Sequence, residues 1–439
     1  MNYRQKTILL LSFLAISFIN SAQVGSPYSQ FGFGDSQNKG FEQSKAMGGI
    51  GIGLRSNSLL NGLNPASYTG LDSLSVIYAI GVNSGFNIIE SSAGKMSRTD
   101  TKLGYFALGF KGNKYWGSSF GLAPISDVDY TFMYSEDNPD NGQLDYYFYG
   151  EGGLNNFYWS NSFDLTPNLS LGINAAYVFG EISKVATLVL ADDLYGTDNT
   201  KVQKLFNVNG FKFNYGLQYK FDLEKNSSLI LGAVYENKIN LNSRQSMLGG
   251  TFQNTDNLDE DFYTDIFVVD AYGNYELTTI TIDTSDLKGT ISFPNSYGLG
   301  FSYNHNGKII VGADATLTRW SKVSNNVYDA AFNDLVNLKA GLEYIPDFNS
   351  ANHYYERVRY RFGGHYTKSH LEIEGTRIND YGLSLGFGLP MRYTQSSFNI
   401  AFELGQRGTL EQNLLRETYG IVSLNISLSD IWFVKRKFK

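Results

Sequence analysis

The sequence predicts an all-β fold: a transmembrane outer-membrane β-barrel of about 14 antiparallel strands. Three observations predict it. The chain opens with an export signal, apolar and polar residues alternate through most of the mature chain, and the links between the alternating segments differ in length by parity.

The export signal occupies residues 1–22. Arg4 and Lys6 supply a positive start, Thr7 to Ile19 form an apolar stretch, and Asn20-Ser21-Ala22 is a small-residue cleavage site. The apolar stretch is shorter than the roughly 20 residues a spanning helix needs. The mature chain is therefore expected outside the cytoplasm, in the cell outer membrane.

Composition narrows the functions open to it. Cysteine is absent, which excludes a disulfide framework, a Cys-anchored lipid and thiolate chemistry. A net charge of -7 gives nucleic-acid binding no electrostatic support. Charged residues make up 18% of the chain, below the ordinary soluble level of about 25%. Aromatic residues reach 15%, and no long apolar run comes after the signal. Such a chain meets lipid through alternating strands, with membrane lipid as one partner.

The clearest strand is Phe211 to Phe221, where every odd position is Phe, Tyr or Leu and the even ones are Lys212, Asn214, Gly216, Gln218 and Lys220. Leu169 to Phe179 and Tyr381 to Leu389 repeat the pattern. Strands are expected near 73–89, 100–111, 114–131, 153–165, 168–182, 208–222, 227–243, 294–304, 307–322, 333–345, 354–369, 377–391, 395–408 and 416–430. Links after even-numbered strands are short, such as Gly112-Asn113 and His305-Asn306. Those after odd-numbered strands are mostly long and polar, such as Met133 to Gly152, Ile182 to Val208 and Leu248 to Phe293. A membrane barrel sorts its loops in this way, with short periplasmic turns and long outer loops, and a soluble sandwich has no reason to. The last strand ends at Trp432 and Phe433, in the place of an interfacial aromatic girdle, before a basic tail.

Catalytic signatures are missing: there is no Gly-x-Ser-x-Gly elbow and no His-Glu-x-x-His. Gly49-Ile-Gly51-Ile-Gly53 lacks the third glycine of a dinucleotide loop. His365 and His370 are five apart on one predicted strand and face opposite ways, so they do not share a metal. The acidic stretches Ser135 to Asp140 and Asp256 to Asp265 match no calcium-ligand spacing and read as solvated loops. No enzyme, metal or cofactor is implied.

The lumen carries more. Alternation turns Arg357, Arg359, Arg361 and His365 inward on one strand, with Asp314, Lys339, Glu343, Asp380, Glu403 and Arg407 inward on its neighbours. These charges are expected first to pair with one another; the sharper alternative is that the arginine row meets an anionic head group. Pro124, in Ser118 to Tyr130, cannot donate a ladder hydrogen bond, so the third strand must bulge, bend or open there. Such a defect either shapes the barrel or forms a lateral window to lipid.

"AMGGIGIG" from Ala46, "NPA" at Asn64-Pro65-Ala66, "GLAPISDVDY" from Gly121, "FPNSYGLGFSY", Asp314, Trp320, "GLEY" and "YGLSLGFGLP" succeed one another along the mature chain. Together they resemble the FadL-type family of outer-membrane transporters for long-chain fatty acids and other hydrophobic compounds. The resemblance implies a plug at 23–72, with Asn64, Pro65 and Ala66 in its core, a barrel over 73–430 and a basic periplasmic tail at 431–439. It also implies passive uptake of a hydrophobic small molecule, which leaves by lateral diffusion at the kink near Pro124. Some barrels of this kind are instead fixed parts of larger outer-membrane assemblies. That alternative makes the chain a structural subunit with outer-membrane complex partners.

Overall fold

Residues 211–221 set the rule for the whole wall. Phe211, Tyr215 and Phe221 stand exposed on the outside, while Gln218 between them is buried. Repeated around a closed sheet, this alternation puts an apolar belt toward lipid and polar or small side chains toward the lumen. The computed structural model describes residues 25–37, 40–92, 94–139, 142–190, 198–224, 226–252, 279–323, 332–392 and 394–432. The export signal, the Asp256 to Asp265 stretch, Phe433 and the basic tail lie outside the described residues.

Fourteen antiparallel strands close into one barrel. They are β1 (Ser75–Glu90), β2 (Lys95–Asn113), β3 (Trp116–Asn138), β4 (Gly142–Asp164), β5 (Leu169–Leu190) and β6 (Asn199–Glu224). Next come β7 (Ser227–Glu236 and Ile239–Phe252) and β8 (Thr279–Phe293 and Ser296–His305). The remainder are β9 (Ile309–Thr318), β10 (Leu335–Tyr344), β11 (Arg359–Lys368), β12 (Asp380–Pro390), β13 (Ser397–Gly408) and β14 (Arg416–Ile431). β7 and β8 each break once at the same height. β6 pairs with the outer piece of β7 along Asn199–Asn209 and with the inner piece along Asn214–Glu224. Closure runs from Ile431 opposite Ser75 to Arg416 opposite Glu90.

All fourteen expected strands are present in the expected order, and their lengths differ from expectation in one systematic way. The long links assigned to the outer end are largely strand: β3 runs on to Asn138, β4 restarts at Gly142, β5 reaches Leu190 and β8 begins at Thr279. Their inward side chains explain the extension. Tyr130, Leu154, Ile182, Phe206, Leu241 and Ile291 form one buried apolar cluster joined by Phe33 of the N-terminal segment. Burying that cluster keeps the backbone extended well past the bilayer. β3 to β6 contain 23, 23, 22 and 26 residues, against the roughly 9–11 that span a membrane. β9, β10 and β11 contain only 10 each. One side of the barrel is thus a tall wall and the other barely exceeds the membrane.

A second difference lies at the short-turn end. The expected strand from 354 begins instead at Arg359, because Tyr354–Arg357 form a 3-10 turn. Arg357 therefore sits in that turn, its guanidinium 5.2 Å from the centre of the Tyr354 ring.

Candidate functional site

Residues 25–72 touch walls on opposite sides of the closed barrel. Gly48 N–H donates to Ser384 Oγ on β12, and the N–H groups of Gly51 and Ile52 both donate to Asp314 Oδ2 on β9, at 2.6 and 2.9 Å. Across the lumen, Gln218 Nε2 on β6 donates to the carbonyls of Ile52 and Leu54. Lower down, Arg55 donates to Ser170 Oγ on β5 and pairs with Asp164 on β4. Lys111 Nζ on β2 donates to Thr69 O. A short helix α1 (Glu42–Ala46) lies against β11 to β14 and reaches β1, β2 and β10 through single side chains. Phe41, just before it, stacks on Tyr105, whose hydroxyl donates to Glu42, and Gln43 reaches Glu343.

The empty face of the alternating strands is what admits this segment. A Cβ at Gly216 would strike Asn64 and Pro65, and one at Gly172 would strike the Pro65 backbone. Those wall glycines let main chain lie directly on main chain. Asn64 caps the 3-10 turn Pro65–Gly70 by accepting from Ala66 N–H, and its Nδ2 donates to Ile52 O and Leu217 O. Pro65 holds the first position of the turn, and Ala66 is fully buried. Asn61 braces the segment itself, donating to the carbonyls of Gly51 and Leu54.

The arginine row is engaged with protein. Arg361 is fully buried and donates to Glu343 at 2.6 Å and to Asn399, while Arg359 approaches the same Glu343 at 3.5 Å. One carboxylate serving two guanidiniums is the mutual pairing expected first from the sequence. His365 faces Asp380, which also accepts from Tyr419, and His370 lies apart from it, stacked on Trp320.

At Pro124 the barrel departs from regular pairing on both sides of β3. β2 and β3 pair from Asn113–Trp116 up to Phe106–Leu122 and no further. β3 and β4 continue to Asn138–Gly142 with a bulge between Pro124 and Ser126. Gly152 and Gly153 on β4, both at positive φ, and Gly180 on β5 carry the bend into the neighbouring strands. A seam is left between β2 and β3. The N-terminal segment closes its inner part: Gln37 N–H donates to Ile125 O, Asp35–Ser36 pair antiparallel with Ser126–Asp127, and Ser29 Oγ bonds both N–H and C=O of Asp129. Lys102 on β2 crosses to Asp127 and Asp129, and Arg98 Nη2 crosses to Thr131 O.

Behind the seam lies a cavity of about 820 Å³ whose lining includes Lys102, Asp127, Arg407, Glu417, Asp380 and His365. It extends to Pro124 and to Phe86 and Leu103, side chains exposed on the lipid side. Its walls are mixed: those charged groups stand beside Phe31, Leu335, Leu371, Ile378 and Ile421, while the apolar side chains of the tall wall pack against Phe33. The role of Asp35–Ser36, the Lys102 clasp and the Gly152-Gly153 pair was missed from the sequence. The Gly-Gly doublet and the Asp127-Val-Asp129 run after Pro124 were the visible signals.

The closed fourteen-stranded architecture with an interrupted third strand has the fold of FadL-like barrels. Among solved structures, the toluene transporter TodX of Pseudomonas putida aligns at TM-score 0.57 and 15% identity, covering 90% of this chain and 99% of that one. The CymD monoaromatic hydrocarbon channel aligns at 0.53 and 14%, covering 89% and 97%. A Pseudomonas aeruginosa FadL homologue aligns at 0.53 and 14%, covering 89% and 98%. At these identities the likeness is one of fold. The search of curated proteins found no match. The family model for BamG matches residues 4–439, and the chain belongs to the BamG family.

Proposed function

We propose that the protein is a closed outer-membrane barrel that acts as a structural subunit of a larger outer-membrane assembly, with residues 23–72 as a fixed plug. One observation carries this reading: the N-terminal segment is built into the wall. It is hydrogen-bonded to opposing strands, and Phe33 is packed into the apolar cluster of the tall wall. A conduit for an apolar solute needs a continuous greasy path. The cavity behind the seam interrupts its apolar side chains with carboxylates, Lys102 and Arg407.

Passive uptake of hydrophobic compounds such as long-chain fatty acids, with lateral exit near Pro124, is the second reading. The interrupted β2–β3 pairing and the cavity's extent to Phe86 and Leu103 favour it. Two measurements on one strain separate the two. For a structural subunit, gene deletion leaves uptake of labelled oleate unchanged, and purification from native membranes in mild detergent retains another protein in fixed stoichiometry. Lost uptake, restored by the intact gene, together with a barrel that purifies alone, would overturn the first reading in favour of the second.

A further inference from the structure

The seam between β2 and β3 is crossed by side chains and not by main-chain pairing. Paired strands stand about 4.8 Å apart, and room for an added strand needs roughly twice that. Arg98 and Lys102 each extend a full side chain from β2 before reaching β3, where Arg98 bonds the main-chain carbonyl of Thr131 at 3.1 Å. Direct pairing of β2 with β3 ends at Phe106–Leu122, although β2 continues back to Lys95 on β1 and β3 continues out to Asn138 on β4.

The edge of β3 already receives an extended peptide. Asp35–Ser36 add to it as an antiparallel strand at Ser126–Asp127, and Ser29 imitates a strand at Asp129. Beyond Thr131 that edge passes Met133, Ser135 and Asp137, all exposed, and faces the exposed Lys95 and Ser97 of β2. Counting 9–11 residues for the membrane span from the short-turn end puts this stretch at the outer surface. An edge in such a place is a template for a further strand unless something covers it.

We propose that the slot between residues 95–101 of β2 and 131–138 of β3 is a strand-acceptor site for an extended segment of a partner protein at the outer surface. The segment continues along β3 the antiparallel pairing that Asp35–Ser36 begin. Main-chain hydrogen bonds supply the attachment, and side chains facing alternately in and out supply selectivity. This inference rests on the partner-binding reading of the function and names where a partner attaches.

The chain has no cysteine, so single thiols report cleanly. The probe is a nine-residue peptide of alternating Thr and Lys with one central Cys activated as a thionitrobenzoate mixed disulfide, so that thiol exchange releases thionitrobenzoate, offered to full-length barrel in nanodiscs. It should form a disulfide with Ser135→Cys at least about tenfold faster than with Glu181→Cys, an exposed position on β5 whose two edges are both paired. N-methylation of alternate peptide amides should abolish the difference. Equal trapping at both sites, or trapping indifferent to N-methylation, would overturn the strand-acceptor site. So would a lipid retained in native mass spectra whose removal is needed before any trapping, since the slot would then belong to lipid. Both thiols replace exposed side chains, and heat-modifiable gel migration verifies folding. A negative result with the purification and uptake outcomes of a structural subunit intact would remove the slot alone.

Discussion

Glu343 and Arg361 show what a single buried residue must achieve inside a barrel. Both side chains are out of solvent, and Arg361 divides its donors between Glu343 and Asn399. Removing one partner leaves the other as an uncompensated buried charge, which costs about 3–5 kcal/mol. Arg361→Ala should therefore lower the thermal unfolding midpoint in detergent far more than Arg357→Ala, whose side chain lies in the turn beside Tyr354. Equal midpoints for the two variants would show that the pair is dispensable. The inward direction of Arg359 and Arg361 was legible from alternation. That Glu343 would serve both was not, because it depends on register between β10 and β11, where Glu343 stands opposite Arg361.

Among elements, the N-terminal segment and the outer loops differ in how they are held. The segment is seated by wall glycines, so its stability is a matter of space. Gly216→Val should push Asn64 and Pro65 off β6 and raise the leak conductance in planar bilayers. Pro65→Ala should do so less, since Asn64 still caps the turn. Conductance unchanged by Gly216→Val would mean that the segment is not what blocks the lumen. At the outer end, His370 is stacked on Trp320 at 4.8 Å and meets the tilted ring of Phe332 at 5.3 Å. Burial, helped by the charge of Arg407, pushes its imidazole down to about 3. The folded state thus holds it neutral while the unfolded chain takes up a proton below about 6.5. Stability from this packing is present above pH ~6.5 and declines as pH falls toward about 3. The unfolding midpoint of the wild type should drop between about pH 7 and 4.5 by more than that of His370→Phe; parallel drops would exclude this residue.

For the whole molecule, the N-terminal segment lodged across the lumen makes a direct statement about conductance. The intact barrel should be silent in planar bilayers, and deletion of residues 25–72 should open a pore, because the wall glycines then face water. The order and number of the strands and the apolar belt were determined by the sequence alone, since a period of two and the position of turn residues are local properties. Local pattern also marked Pro124 as a place where pairing fails. Only the tertiary structure decided how high β3 to β6 rise, because their outer halves read as polar loop until Tyr130, Ile182 and Phe206 are seen to bury one another. It alone decided that Asp35–Ser36 close the seam at Ser126–Asp127. That outcome joins residues about ninety positions apart, and no period or motif encodes a contact that arises only when the barrel closes around its own N-terminal chain.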